Sequence, residues 1–102
     1  MKRAPLLLAV IALLSSCAVP EARLRAGLVN AGLPPPLAAC MAERMVDRLS
    51  LMQLRRLGDL PRARQAVSVP EFLHRVRALG DPEVLSVSAS AAAVCEARRL
   101  VR

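Results

Sequence analysis

The chain has 102 residues, of which 55% are hydrophobic, yet it contains one Phe and neither Trp nor Tyr. This length allows one domain at most, and the predominance of Ala, Leu, Val and Met favours helices over sheets. The formal net charge is +7. A nucleic-acid or sugar platform is disfavoured despite this charge, because no aromatic cluster is present on which bases or sugar rings could stack.

The first 17 residues have the organisation of an export signal. Lys2 and Arg3 form a short positive segment, residues 4–14 form an apolar run, and Leu14-Ser15-Ser16-Cys17 follows. The apolar run is too short to cross a bilayer, which needs about 20 residues. The pattern predicts that residues 1–16 are a cleaved signal peptide and that residues 17–102 are the mature domain, which begins with a short linker.

The last four of these residues resemble the lipobox of bacterial lipoproteins, in which an aliphatic residue and two small residues precede an invariant cysteine. The resemblance implies that Cys17 receives a diacylglycerol thioether and becomes the acylated N-terminus, which anchors the protein in the bacterial cell envelope. By the same analogy, Ala18 rather than Asp implies sorting to the outer membrane, facing the periplasm. Ordinary secretory cleavage after Ala18 is the alternative.

The mature chain carries start and stop signals for four or five short helices. Pro20 suits the first position of a helix, and Ser50 and Ser68 each begin a capping box, with Gln53 and Glu71 three residues later. Asp81 is a further N-cap. The helices are predicted over residues 20–30 with Gly32 as the stop, 37–49, 51–57 closed by Gly58, 69–79 ended by Gly80 and 82–100, with a loop over 59–67.

The fourth and last helices are predicted to bury the apolar stripes Val69, Phe72, Leu73, Val76, Leu79 and Val84, Val87, Ala91, Val94, Cys95. Ser86, Ser88 and Ser90 alternate with other residues and make an edge strand over 84–94 the alternative, although the alanines nearby favour helix. The fold class predicted is an all-α bundle.

Cys40 and Cys95 both fall on apolar stripes of predicted helices. In an oxidising compartment such a pair in a small domain forms a disulfide, which would join the second helix to the last. Two buried free thiols or a redox couple are the alternatives, but neither cysteine belongs to a Cys-x-x-Cys motif.

The mature chain offers little for catalysis, since it has one histidine and neither Lys nor Tyr. We expect no enzyme activity, no metal and no cofactor. His74 is interpreted as a surface or packing residue rather than a ligand. Met41, Met45 and Met52 with Cys40 could supply soft donors for Cu(I), but their spacing also fits core packing, which is the preferred interpretation.

All 13 basic residues of the mature chain are arginine, against 8 acids. This excess reflects either the codon usage of a GC-rich genome or selection for bidentate binding of phosphate or carboxylate. Six arginines fall close together in the sequence and are candidates for binding anionic lipid head groups or phosphorylated glycolipid, the alternative being a solvated face: Arg55, Arg56, Arg62, Arg64, Arg75 and Arg77.

Two functions remain after these exclusions. The first is a non-enzymatic, membrane-anchored envelope lipoprotein that acts as a structural or protein-interaction module, with another envelope protein or anionic lipid as partner and no nucleic acid. The mature part resembles, in a general way, the small cysteine-paired helical proteins of proteobacterial envelopes. The second is a periplasmic chaperone or assembly factor that exposes an apolar helical face, similar to acid-stress chaperones in size and in having one disulfide.

Overall fold

The computed structural model describes residues 20–101. The predicted signal peptide and the predicted lipidation site, Cys17, lie outside the described residues. Between residues 20 and 101 the chain forms five α helices and no strand, which confirms the all-α prediction and makes the edge-strand alternative wrong. The helices are α1 at residues 20–30, α2 at Pro35–Met45, α3 at Leu51–Gly58, α4 at Val69–Arg77 and α5 at Pro82–Val101.

Gly32 ends α1, as predicted. Its φ angle is +106°, and its N–H donates to the carbonyl of Val29 at 2.9 Å while the N–H of Leu33 donates to that of Leu28 at 3.1 Å. These two bonds form the Schellman arrangement, which favours glycine at the left-handed position. A side chain at position 32 would also meet Val67 and Gln65, because the loop after α3 crosses there.

Helix α2 is shorter and starts earlier than predicted. It begins at Pro35 because proline is tolerated in the first turn, where the N–H has no intrahelical partner. It ends at Met45, where the N–H groups of Arg48 and Leu49 both turn back to the Met45 carbonyl. The prediction that α2 continues to Leu49 is therefore wrong, since this tight turn leads the chain into the extended Ser50 that caps α3.

The predicted N-caps of α3 and α4 are confirmed, with one difference. The Ser50 hydroxyl accepts from the Gln53 amide at 3.2 Å and the Gln53 side chain accepts from the Ser50 amide at 2.8 Å, so this capping box is complete. The Ser68 hydroxyl accepts from the Glu71 amide at 3.3 Å, but the Glu71 carboxylate pairs with Arg75 instead of reaching back. The second capping box is therefore only half formed.

All five helices contribute to one hydrophobic core, in which α5 packs against α2 and α4. Phe72 and Val76 of α4 are buried, as predicted, and Val69, Leu73 and Leu79 pack around them. On α5 the buried stripe differs from the prediction: Val87 and Val94 are only partly buried, whereas Ser88 and Ala92 are buried. The fully or nearly fully buried residues of α5 are Val84, Ser88, Ala91, Ala92 and Cys95.

No helix between residues 20 and 101 is both long and apolar enough to traverse a lipid bilayer.

Candidate functional site

The Cys40–Cys95 disulfide joins α2 to α5, which confirms the predicted pairing. The two Cα atoms are 5.9 Å apart, within the range that a disulfide bridges, and 55 positions separate the residues in sequence. Cys95 is buried and Cys40 is partly exposed. Arg25, Arg98 and Arg99 line a shallow surface groove beside the bond. Because both sulfurs are bonded, the interpretation as two free thiols is wrong for this structure.

The six predicted arginines do not form a single site. Arg55 lines a groove between α1 and α3, whereas Arg77 lines another groove, between α4 and α5. Arg75 pairs with Glu71 at 3.5 Å, and this exposed pair contributes little to stability. Arg56 lies on α3 and Arg62 and Arg64 lie in the loop that follows, and all three are exposed. Whether they bind anionic groups stays a prediction.

A groove with a volume of about 640 Å³ lies between α1 and α3. Buried Leu24 and Leu54 lie at its base, and Leu51 stands at its side with 54% of its surface exposed. Arg23 of α1 and Arg55 of α3 bring two guanidinium groups to its lining. The arrangement combines apolar surface with positive charge, which suits an anionic amphiphile or an acidic, partly apolar partner.

Sequence reasoning missed Arg23 as a member of this site. It lies 32 positions before Arg55, and the two arginines meet at one groove only because α1 packs on α3. The closeness of the helices depends on Gly27: a Cβ atom there would stand 2.9 Å from the Cα of Gly58. Two glycines at one helix crossing are a sequence signal for such an approach, but they become informative only once the pairing of the helices is known.

Asp81 connects α3 to α5. One carboxylate oxygen accepts from the amides of Glu83 and Val84, at 3.0 and 3.2 Å, and the other accepts from the side chain of Gln53 at 3.1 Å. The Gln53 bond and then the bond from the Val84 amide hold the pKa of Asp81 below its usual value, with lesser contributions from the Glu83 amide and the charge of Arg56. Desolvation by burial acts in the opposite direction. Asp81 is thus a charged residue that joins the start of α3 to the start of α5.

The remaining candidate ligands are dispersed. His74 is exposed on α4, beside the groove that α4 forms with α5. Met41 and Met45 are fully buried, as expected for core residues, but the expectation that Met52 packs in the core is wrong, because 63% of its surface is exposed. Among residues 20–101 no three His, Cys, Asp or Glu side chains converge as a metal site would require.

Comparison with protein-family models, with curated proteins and with solved structures finds no match to this chain.

Proposed function

We propose that this protein is an exported lipoprotein of the bacterial cell envelope, anchored through Cys17, whose helical domain is a non-enzymatic structural or protein-interaction module. The observation that carries the proposal is the cysteine pairing. The chain has three cysteines, and Cys40 and Cys95 are bonded to each other. Cys17 is the one left over, and it stands at the position that the lipobox pattern assigns to the lipid.

The disulfide also supports the compartment. Structural disulfides persist in the periplasm and outside the cell, whereas the cytosol keeps thiols reduced. A disulfide from α2 to α5 is therefore consistent with a domain that folds after export. We further propose that the protein is sorted to the outer membrane and faces the periplasm, by analogy of Ala18 with lipoprotein sorting signals.

The described surface supports an interaction role better than catalysis. A catalytic site brings a nucleophile, a base and a charge-stabilising group together in one pocket. In the groove between α1 and α3 the charged lining residues are Arg23, Arg55 and Asp59, and the others are apolar residues, glycines and one asparagine. Charged and apolar side chains of this kind are sufficient to bind a partner through ionic and hydrophobic contacts.

Metabolic labelling tests the anchor. The full chain is expressed in a Gram-negative host with labelled palmitate, and the N-terminal peptide of the purified product is analysed by mass spectrometry. We expect label on the wild type, none on Cys17→Ala, and undiminished label on the matched double variant Cys40→Ala/Cys95→Ala. An unlabelled product that begins at Val19 would contradict the proposal and indicate ordinary secretion instead.

Affinity capture of the lipidated protein from its own envelope then tests the interaction module. One recurrent partner that is captured by the wild type supports the proposal. Recovery of many unrelated denatured proteins contradicts it and supports a chaperone instead.

The chaperone alternative has one observation in its favour. Leu51, which lines the groove between α1 and α3, is exposed, and so is its neighbour Met52. The disulfide joins α2 to α5 and does not hold α1 against α3. A chaperone activated by acid would expose more apolar surface as α1 and α3 separate. Titration of an apolar dye from neutral to acidic pH would then give a rise in fluorescence before unfolding, which the interaction module does not predict.

A further inference from the structure

Helix α3 exposes two large apolar side chains at its start. Leu51 and Met52 occupy consecutive positions at the start of α3 and are 54% and 63% exposed. Leu51 lines the groove between α1 and α3, and Ala26 of α1 adds a further exposed apolar residue to the lining. Exposed apolar side chains that adjoin an apolar groove mark a contact surface rather than a solvated one.

Positive charge accompanies this surface. Arg23 and Arg55 both line the groove, on opposite helices, and within residues 20–101 neither forms an ion pair. Asp59 is the acid of the lining. Guanidinium groups beside apolar side chains match the interfacial layer of a membrane, where anionic phosphates lie directly above the acyl chains.

The position of Pro20 determines which membrane this surface can reach. Pro20 lines the same groove, and only two residues separate it from Cys17. Three residue steps span at most about 11 Å. The head-group layer on one side of a bilayer is about 5–7 Å thick. A lipid on Cys17 therefore holds the groove within reach of the head groups of the bilayer in which the lipid is embedded.

We propose that the groove between α1 and α3 rests on that bilayer, with Leu51 and Met52 inserted at the interface and Arg23 and Arg55 bound to the phosphates of anionic phospholipids. This inference rests on the proposed lipid anchor and adds an orientation to it. The exposed Ala93 of α5 is not among the residues that line this groove.

A single tryptophan can report this orientation, because the chain contains no native Trp or Tyr. The lipidated protein is reconstituted as Met52→Trp, or as the matched control Ala93→Trp, into vesicles of brominated phosphatidylglycerol and phosphatidylcholine. Bromine on the acyl chains quenches a nearby indole. We expect strong quenching and a blue-shifted emission for Met52→Trp, and little quenching for Ala93→Trp.

Two further comparisons test the arginines. In the Met52→Trp background, Arg23→Gln/Arg55→Gln is expected to lower the ratio of docked to undocked protein about fivefold for each arginine removed. Arg44→Gln/Arg48→Gln removes the same charge from the groove between α2 and α5 and is expected to leave quenching unchanged. Replacement of phosphatidylglycerol by phosphatidylcholine should lower the ratio of docked to undocked protein, as Arg23→Gln/Arg55→Gln does.

The outcomes separate the two proposals. Mass spectrometry of the reconstituted protein establishes whether Cys17 is acylated. An unacylated N-terminus overturns the proposed function and this orientation with it. An acylated protein in which Met52→Trp and Ala93→Trp are quenched equally, or in which the Arg44/Arg48 variant loses as much quenching as the Arg23/Arg55 variant, overturns the orientation alone.

Discussion

The side chain of Gln53 donates a 3.1 Å hydrogen bond to the carboxylate of Asp81, although 28 positions separate the two residues. Each residue also caps its own helix: Gln53 completes the capping box of α3, and Asp81 accepts from the first amides of α5. The bond therefore joins two helix starts, so that the loss of one residue weakens both.

Replacement of Gln53 by Ala should destabilise the domain by about 1–2 kcal/mol, because it removes the return bond of the capping box and the partner of Asp81. Urea unfolding followed by circular dichroism measures the change. Gln65→Ala, in the exposed loop, is the matched control and should stay within about 0.5 kcal/mol of the wild type. Equal stability of the two variants would show that the link from α3 to α5 contributes nothing.

Asp81 should give the domain a stability that depends on acid pH. The pKa of Asp81 is lower in the folded state than in the unfolded chain, chiefly because of the Gln53 bond. The contribution is therefore fully present above the unfolded value of about 3.9 and disappears as the pH falls through the folded value. The melting temperature of Asp81→Asn should lie below that of the wild type at about pH 7 and about pH 5, and the difference should narrow as the pH falls below about 3.9.

The exposed Asp47, in the turn after α2, provides the control for this titration. Asp47→Asn should follow the wild type at each pH. If the difference between the wild type and Asp81→Asn remains constant down to about pH 3, the carboxylate of Asp81 does not carry the acid dependence.

Features governed by local chemistry could be predicted from the sequence. Ser50, Ser68 and Asp81 begin helices because a side-chain oxygen two or three bonds from Cα can accept from the next free amides, and this depends on a few neighbouring residues only. The cysteine pairing was also predicted, because two cysteines on helical stripes of a small domain that is expected to be exported favour a disulfide over free thiols or a redox couple.

Features that depend on how helices meet could not be predicted. The exposure of Met52 and the presence of Arg23 and Arg55 in one groove both depend on how the helices pack together. Ser88 is buried because α5 turns a stripe of small residues toward the core, whereas the hydrophobic pattern favours Val87. Hydrophobic periodicity is read over a short window of the sequence, so it does not indicate which helices will contact each other.

Removal of the disulfide should cost a large part of the stability. The bond joins residues 55 positions apart, for which the chain-entropy model gives about 4 kcal/mol. A domain of this size has about 5–15 kcal/mol in total. Cys40→Ala/Cys95→Ala should therefore unfold at much lower urea concentration than the oxidised wild type, and the reduced wild type should behave like the variant. A variant that unfolds with the oxidised wild type would mean that the bond does not clamp α2 to α5.

Replacement of Ser88 by Ala should stabilise the domain by about 1 kcal/mol. Ser88 is fully buried, and its hydroxyl has no hydrogen-bond partner among the residues described. Alanine removes this unsatisfied group and favours the helix. The exposed Ser90 of the same helix is the control: Ser90→Ala gains the helix preference only, a few tenths of a kcal/mol. A Ser88→Ala variant less stable than the wild type would indicate that the hydroxyl has a partner in solution.

Gly27 and Gly58 meet where α1 crosses α3, yet they should respond oppositely to alanine. A Cβ atom on Gly27 would stand 2.9 Å from the Cα of Gly58, so the backbones must separate, whereas a Cβ atom on Gly58 meets nothing within 4 Å. Gly27→Ala should cost about 1–3 kcal/mol through overpacking. Gly58→Ala should be neutral or gain up to about 1 kcal/mol through reduced chain entropy, since its φ angle is not positive. Urea unfolding compares the two variants directly. Because both add one methyl group to the same pair of helices, a Gly27→Ala variant as stable as Gly58→Ala would mean that α1 and α3 do not approach closely, and the groove lined by Arg23 and Arg55 would then have a different shape.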